Sequence, residues 1–140
     1  MKTKLLIAVF CLFFLAPFCF SQGRWKVAVD HDGEDILGRQ LVYKLKDGIS
    51  KSSFFFLVPK DDANLIIRVL SLDIGTPAGE TSICSVVYTV QIPTQSKAYF
   101  CNHSLYHFGK LKVDETASGM LAATLENSEN CLGSIWKTEE

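Results

Sequence analysis

Clustered positive charge is the first thing this sequence is short of. Its 14 Lys and Arg and 15 Asp and Glu are scattered over 140 residues, and no cationic stripe forms that would gain from counterion release along a phosphate backbone. Nucleic-acid binding is not expected. Beyond the N-terminal twenty or so residues, no apolar run approaches the ~20 residues that a bilayer-spanning helix needs, so no transmembrane segment is expected after that point. The nucleophile signature Gly-x-Ser-x-Gly and local Cys/His/Asn signatures are missing, and Gly75 and Gly79 in Gly-Thr-Pro-Ala-Gly fit no phosphate-cradling loop. Catalysis therefore has no motif to rest on, and no cofactor is expected. Repeats, low-complexity tracts and linkers are absent too.

What the N-terminus does have is Lys2 and Lys4, an apolar run from Leu5 to Phe18, then Cys19-Phe20-Ser21-Gln22. A basic start, a run of roughly 14 apolar residues and small residues before a cut are the three parts of a secretory signal peptide. The sequence predicts a signal peptide over 1–21, cleavage after Ser21, and a secreted or periplasmic mature chain. Lipid anchoring at Cys19 is disfavoured, because Phe18 stands where such signals need a small residue. Removing Lys2 and Lys4 takes the formal charge from −1 to −3. Residues 22–140 are of the size of one small α/β domain.

Cys11 and Cys19 belong to the leader, leaving Cys84, Cys101 and Cys131. An odd number allows one bond and a spare within a monomer. Cys101 with Cys131 is the preferred pair, tying a central strand to the C-terminal segment; three buried thiols acting as small apolar residues are the alternative.

Trp25 to Asp30 alternates in polarity and runs into a turn, reading as a first strand. Ile36, Leu37, Leu41, Val42, Leu45 and Ile49 recur at helical spacing, so a helix is expected from about Gly33 to Lys51, with Asp32, Glu34 and Asp35 at its N-terminus. Phe54 to Val58 is a short strand closed by Pro59, and Leu65 to Leu72 is a strand apolar enough for most of both its faces to be covered. Asp73 to Glu80 reads as a mobile loop. Thr81 to Ile92 and Ala98 to Phe108 form a hairpin joined by Pro93 to Lys97. Ala117, Met120, Leu121, Thr124 and Leu125 mark a second helix, and the tail with Leu132, Ile135 and Trp136 is apolar enough to dock on the body.

These elements predict an α/β (α+β) fold, a two-layer sandwich of order β-α-β-β-β-β-α. Its sheet is mixed and five-stranded, with two helices on one face and the other face partly wet. The first two strands should be parallel with a right-handed crossover, and the last three an antiparallel meander.

Cys101, His103 and His107 are residue types zinc prefers and would share one face of a strand. At ~3.3 Å per residue the two histidines lie about 13 Å apart, too far for one ion, so no metal site is expected. Asp30-His31-Asp32-Gly33-Glu34-Asp35 gathers acids and an imidazole at the end of the first strand, where α/β sheets often bind ligands. Helix capping explains the same run without a ligand, although His31, Asp32, Glu34 and Asp35 stay candidates for a ligand or partner surface. Tyr88, Tyr99 and Tyr106 on one hairpin offer aromatic contact area for a partner strand, should that hairpin lie at the sheet edge. Asn102-His103-Ser104 fits a glycosylation sequon.

The leading expectation is an exported, non-catalytic binding or accessory protein with a protein partner. Two alternatives stand beside it: an immunity or inhibitor protein against a toxin or hydrolase, and a small hydrolase or metal-dependent enzyme built on the acidic turn around His31.

Overall fold

The computed structural model describes residues 24–92 and 97–133. The leader over 1–21, Cys19, most of the hairpin connection, and Ile135 and Trp136 lie outside the described residues. Strand β1 (Trp25–Asp32) leads into helix α1 (Ile36–Lys51) and then the three-residue β2 (Phe55–Leu57). Strands β3 (Leu65–Asp73), β4 (Thr81–Ile92) and β5 (Lys97–Gly109) follow, and helix α2 (Val113–Asn127) ends in a π turn (Ser128–Leu132). This is the expected mixed five-stranded sheet with two helices, in the expected order.

Across the sheet the strands lie in the order β2-β1-β3-β4-β5. β1 is parallel to both β2 and β3, whereas β3, β4 and β5 run antiparallel as a meander. β2 ends level with the start of β3, since Leu57 and Leu65 both pair with Val27. A short link with one 3-10 turn (Lys60–Asp62) therefore suffices to carry the chain past β1. On that side Ala63 and Val58 cover Ala28 and Ile66, a small second core.

The main core lies between the sheet and the helices. Strand alternation sends Val27, Leu65, Ile67, Val69, Val86, Tyr88 and Val90 to one face, and the α1 stripe of Leu37, Leu41, Leu45 and Ile49 packs on it with Ala117 and Met120 of α2.

Three expectations need correcting. α1 begins at Ile36 rather than near Gly33, because Asp35 caps it: its backbone is extended and its carboxylate accepts the Gly38 N–H at 2.7 Å. Between β3 and β4 the chain is a loop, as expected, closed by its own hydrogen bonds. The Asp73 carboxylate accepts the N–H groups of Gly75 and Gly79, and Ile74 N–H bonds to Thr81 carbonyl oxygen at 3.1 Å. β3 is covered on its second face only at Ile66, leaving Arg68, Leu70 and Leu72 exposed. Finally, β5 is an edge strand, not a central one.

Candidate functional site

Two places on this frame collect side chains with something to do: the end of β1 and β3 beside the start of α1, and the face of the sheet that no helix among the described residues covers.

At the first, alternation splits the acidic turn between the two faces. Asp30 and Asp32 stand exposed on the open face, while His31, half-buried, and Asp35 turn toward the helices. Glu34 is exposed before α1. Asp35 is the hub. Besides capping α1, it accepts a hydrogen bond from the Ser82 hydroxyl at 2.7 Å and a short one from the Ser71 hydroxyl. His31 Nε2 lies 2.8 Å from the same Ser71 oxygen.

Two glycines permit this closeness. A Cβ on Gly38 would come within 2.0 Å of Ser71 Oγ, and one on Gly33, which has φ +145°, within 2.5 Å of the Ser71 carbonyl oxygen. Burial pushes the Asp35 carboxyl upward, but the hydrogen bonds from Ser71, Ser82 and Gly38 outweigh it and hold the group below the ordinary aspartate value. Nearby, burial with a smaller push from the Asp35 charge raises the Cys84 thiol to about 11.

The direction of the hydrogen bonds decides what this cluster can do. A serine hydroxyl has one proton, and Ser71 gives it to Asp35, so His31 must donate through Nε2–H. That is the reverse of a histidine base drawing a proton from a serine nucleophile, in which the imidazole itself would be oriented by the acid. The sequence hint of an Asp35–His31 pair thus becomes Asp35–Ser71–His31, an arrangement that ties the start of α1 to β3 and β1 and, through Ser82, to β4. Gly38, Ser71 and Ser82 escaped the sequence reading. The available signals were a glycine inside a helical stripe and a lone serine among the apolar residues of β3.

The edge hairpin differs from expectation through one irregularity. A β-bulge in β5 sets Tyr88 opposite Asn102 but Thr89 opposite Phe100, so Cys101 is the extra residue. The bulge turns Cys101 and Asn102 both toward the helices. Cys101 is bonded to Cys131 in the π turn, with Cα atoms 5.9 Å apart, and the Asn102 amide donates to Asn127 Oδ1 at 2.9 Å. The sequon nitrogen is thereby engaged. His103 and His107 stay on the open face, so the three residues weighed as metal ligands do not share a face. No group of three or more His, Cys, Asp or Glu among the described residues is placed to hold a metal.

The tyrosines also move. Tyr88 is fully buried, Tyr106 is half-buried against the core, and Tyr99 pairs with Val90 on the helix side. They cannot form one partner surface, because their positions in the register point all three toward the helix layer.

Other residues form that surface instead. On the open face Leu70, Leu72, Leu105 and Phe100 are 57%, 63%, 64% and 69% exposed. Register places them in rows: Asp30, Arg68, Val87 and His103 in one, Asp32, Leu70, Ser85 and Leu105 in the next, then Leu72, Ile83 and His107. A shallow depression of about 460 Å³ runs between Asp30, Arg68, Leu70 and Val87. Lys60 donates to Asp30 at 3.0 Å and lowers its carboxyl pKa, and Ser85 Oγ meets His103 Nε2 at 3.1 Å. The face mixes exposed apolar side chains of β3 and β5 with Arg68 and Ser85, carries Asp30 and Asp32 along β1 with Lys60 paired to Asp30, and has two imidazoles along β5. No helix among the described residues is long and apolar enough to cross a membrane.

No family model matches the chain, and no curated protein matches it. Among solved structures it is similar to the hypothetical protein CT253 from Chlamydia trachomatis, at 12% identity over 60% of this chain and 70% of that one, with a TM-score of 0.41. It is also similar to a PelC dodecamer from Paraburkholderia phytofirmans, at 9% identity over 76% and 90% of the two chains and a TM-score of 0.49. A third similarity is to a minor lipoprotein from Acinetobacter baumannii, at 13% identity over 73% and 93%, with a TM-score of 0.42.

Proposed function

We propose that this chain is an exported, non-catalytic protein that works by binding another protein through the uncovered face of its sheet. The observation that carries this is the set Leu70, Leu72 and Leu105, large apolar side chains exposed in two adjoining rows, with Phe100 further along β5 beyond His103. Contiguous exposed apolar surface of this kind marks interaction sites rather than ordinary protein exterior. The leader pattern over 1–21 and the Cys101–Cys131 bond support export, since such bonds persist in oxidising compartments. The commitment of the Ser71 proton to Asp35 favours a structural over a catalytic use of the His31 cluster.

Site-specific photo-crosslinking in the producing cell tests the proposal. A photoreactive residue at Leu72 should give a discrete protein adduct, and the same residue at Arg39 on the outer side of α1 should give none. Equal labelling from both positions, or none from Leu72, would contradict it. An adduct with a hydrolase or toxin would specify an inhibitor working through the same face.

A further inference from the structure

We infer that the partner engages this chain by strand addition: an extended segment of a different protein pairs with the outer edge of β5 around Leu105 and His107, and its alternate side chains continue the open face. This rests on the binding role proposed above and specifies how it is carried out.

The ladder decides where β5 has backbone to offer. Lys110 N–H donates to the Glu80 carbonyl oxygen at 3.2 Å, so these two residues form a hydrogen-bonded pair, and alternation makes the next pair, Gly109 with Thr81, one that exchanges no bonds. The other side of β4 agrees. Thr81 directs its carbonyl away from β5, to the N–H of Ile74 just past the end of β3. Stepping two residues at a time along β5, His107, Leu105 and His103 likewise turn their N–H and C=O groups away from β4. The His103 N–H is taken by Asn102 Oδ1 at 2.7 Å. Nothing among the described residues bonds to the N–H or C=O of Leu105 or His107, and the sheet has no strand beyond β5.

These free groups repeat about every 6.7 Å along the edge. An extended backbone carries complementary groups at the same repeat, whereas a helix has already spent its own on itself, so the chemistry of the edge selects a strand.

The two edges of the sheet differ in protection. β2 is three residues long and is followed closely by Pro59 and Lys60, features that ordinarily blunt an edge. β5 is thirteen residues long, holds no proline, and has its one lysine at its first position. Its bulge lies at Cys101, and from Asn102 onward its pairing with β4 is regular. Leu105, 64% exposed, stands on the open face at this edge. The added segment should therefore set a β-branched or aromatic side chain beside it.

Photoreactive residues placed singly at positions 103, 105 and 107 of the full chain, in the producing cell, test this. All three should label one segment of one protein, with the sites reached from 103 and 107 about four residues apart, as facing strands require. His107→Pro removes an outward N–H that β4 does not use, a place where an edge strand tolerates proline. It should cut the adduct formed from position 105 at least ~10-fold with the circular dichroism spectrum unchanged, whereas His107→Thr, which keeps the N–H, should stay within about 2-fold of the parent. Labelled sites scattered over separate segments, labelling of a second copy or of residues 134–140 of the same chain, or a folded His107→Pro that behaves like His107→Thr would each overturn the inference. Should His107→Pro not fold, the spacing of the labelled sites decides alone. If position 72 labels a different protein but the β5 positions do not map to one segment of it, strand addition is wrong and the binding role stands. If neither position 72 nor the β5 positions label any protein, both fall.

Discussion

At the residue scale the structure turns on Asp35 and the two glycines that let Ser71 reach it. Alanine is ordinarily better than glycine inside a helix by up to ~1 kcal/mol. Gly38→Ala should nevertheless lower stability by about 1–3 kcal/mol, since the new methyl group would overlap Ser71 Oγ and Cβ; urea unfolding measures it, and a stabilised variant would contradict the close approach. Asp35→Ala should lose about 2–4 kcal/mol, combining the cap with two serines left short of an acceptor.

The same carboxylate fixes part of the acid response. Its folded-state value lies below the ordinary 3.8, so its contribution is complete above that pH and fades as pH falls through the folded value. Asp35→Asn, which can still cap, should flatten stability against pH below about 4, being less stable than the native chain at neutrality and converging with it in acid. Equal pH slopes for the two proteins, read from urea melts at stepped pH, would argue against that assignment.

Elements were legible to different degrees, for reasons that can be named. The α1 stripe and the alternation of β4 express periods of 3.6 and 2, and both elements lie where those periods place them. Which of the clustered acids caps α1 was hidden, because it depends on Ser71 and Ser82, 36 and 47 positions away. The bulge at Cys101 was hidden as well, since one inserted residue leaves the local composition unchanged while reversing which face Cys101 shares. β3 looked like a strand covered on both sides, and its composition is the same whether the cover comes from this chain or from a partner. The bulge also makes the disulfide an element-scale tie between β5 and the π turn after α2. In the loop-entropy view, closing a separation of 30 residues contributes about 3–4 kcal/mol. Cys101→Ala with Cys131→Ala should lower the thermal midpoint by more than ten degrees in a domain of this size, roughly what that loss implies. A shift of only a degree or two would mean that the helix end is held by packing alone.

At the scale of the whole molecule, two helices cover one face of the sheet, and among the described residues the other has the short Val58–Asn64 link over its β1 end. An apolar sheet face in water is stable enough in a monomer, since apolar atoms make up over half of most protein surfaces. Leu70, Leu72 and Leu105 in adjoining rows exceed scattered exposure, and they lie between the charged Asp30, Lys60 and Arg68 on one side and the imidazoles of β5 on the other. The account makes this face the working surface and the His31–Ser71–Asp35 cluster the joint that holds the layers in place.

The accessibility of that face in the protein's own compartment tests the account most directly. With Leu105→Cys and, as reference, Arg39→Cys, the rate of reaction with a bulky maleimide can be compared before and after dilution of the native extract. The account predicts that Leu105→Cys is protected at least ~10-fold relative to Arg39→Cys in the concentrated extract and becomes reactive when dilution releases its partner. Leu105→Cys reacting as fast as Arg39→Cys under both conditions would show a face that nothing covers, and would contradict it.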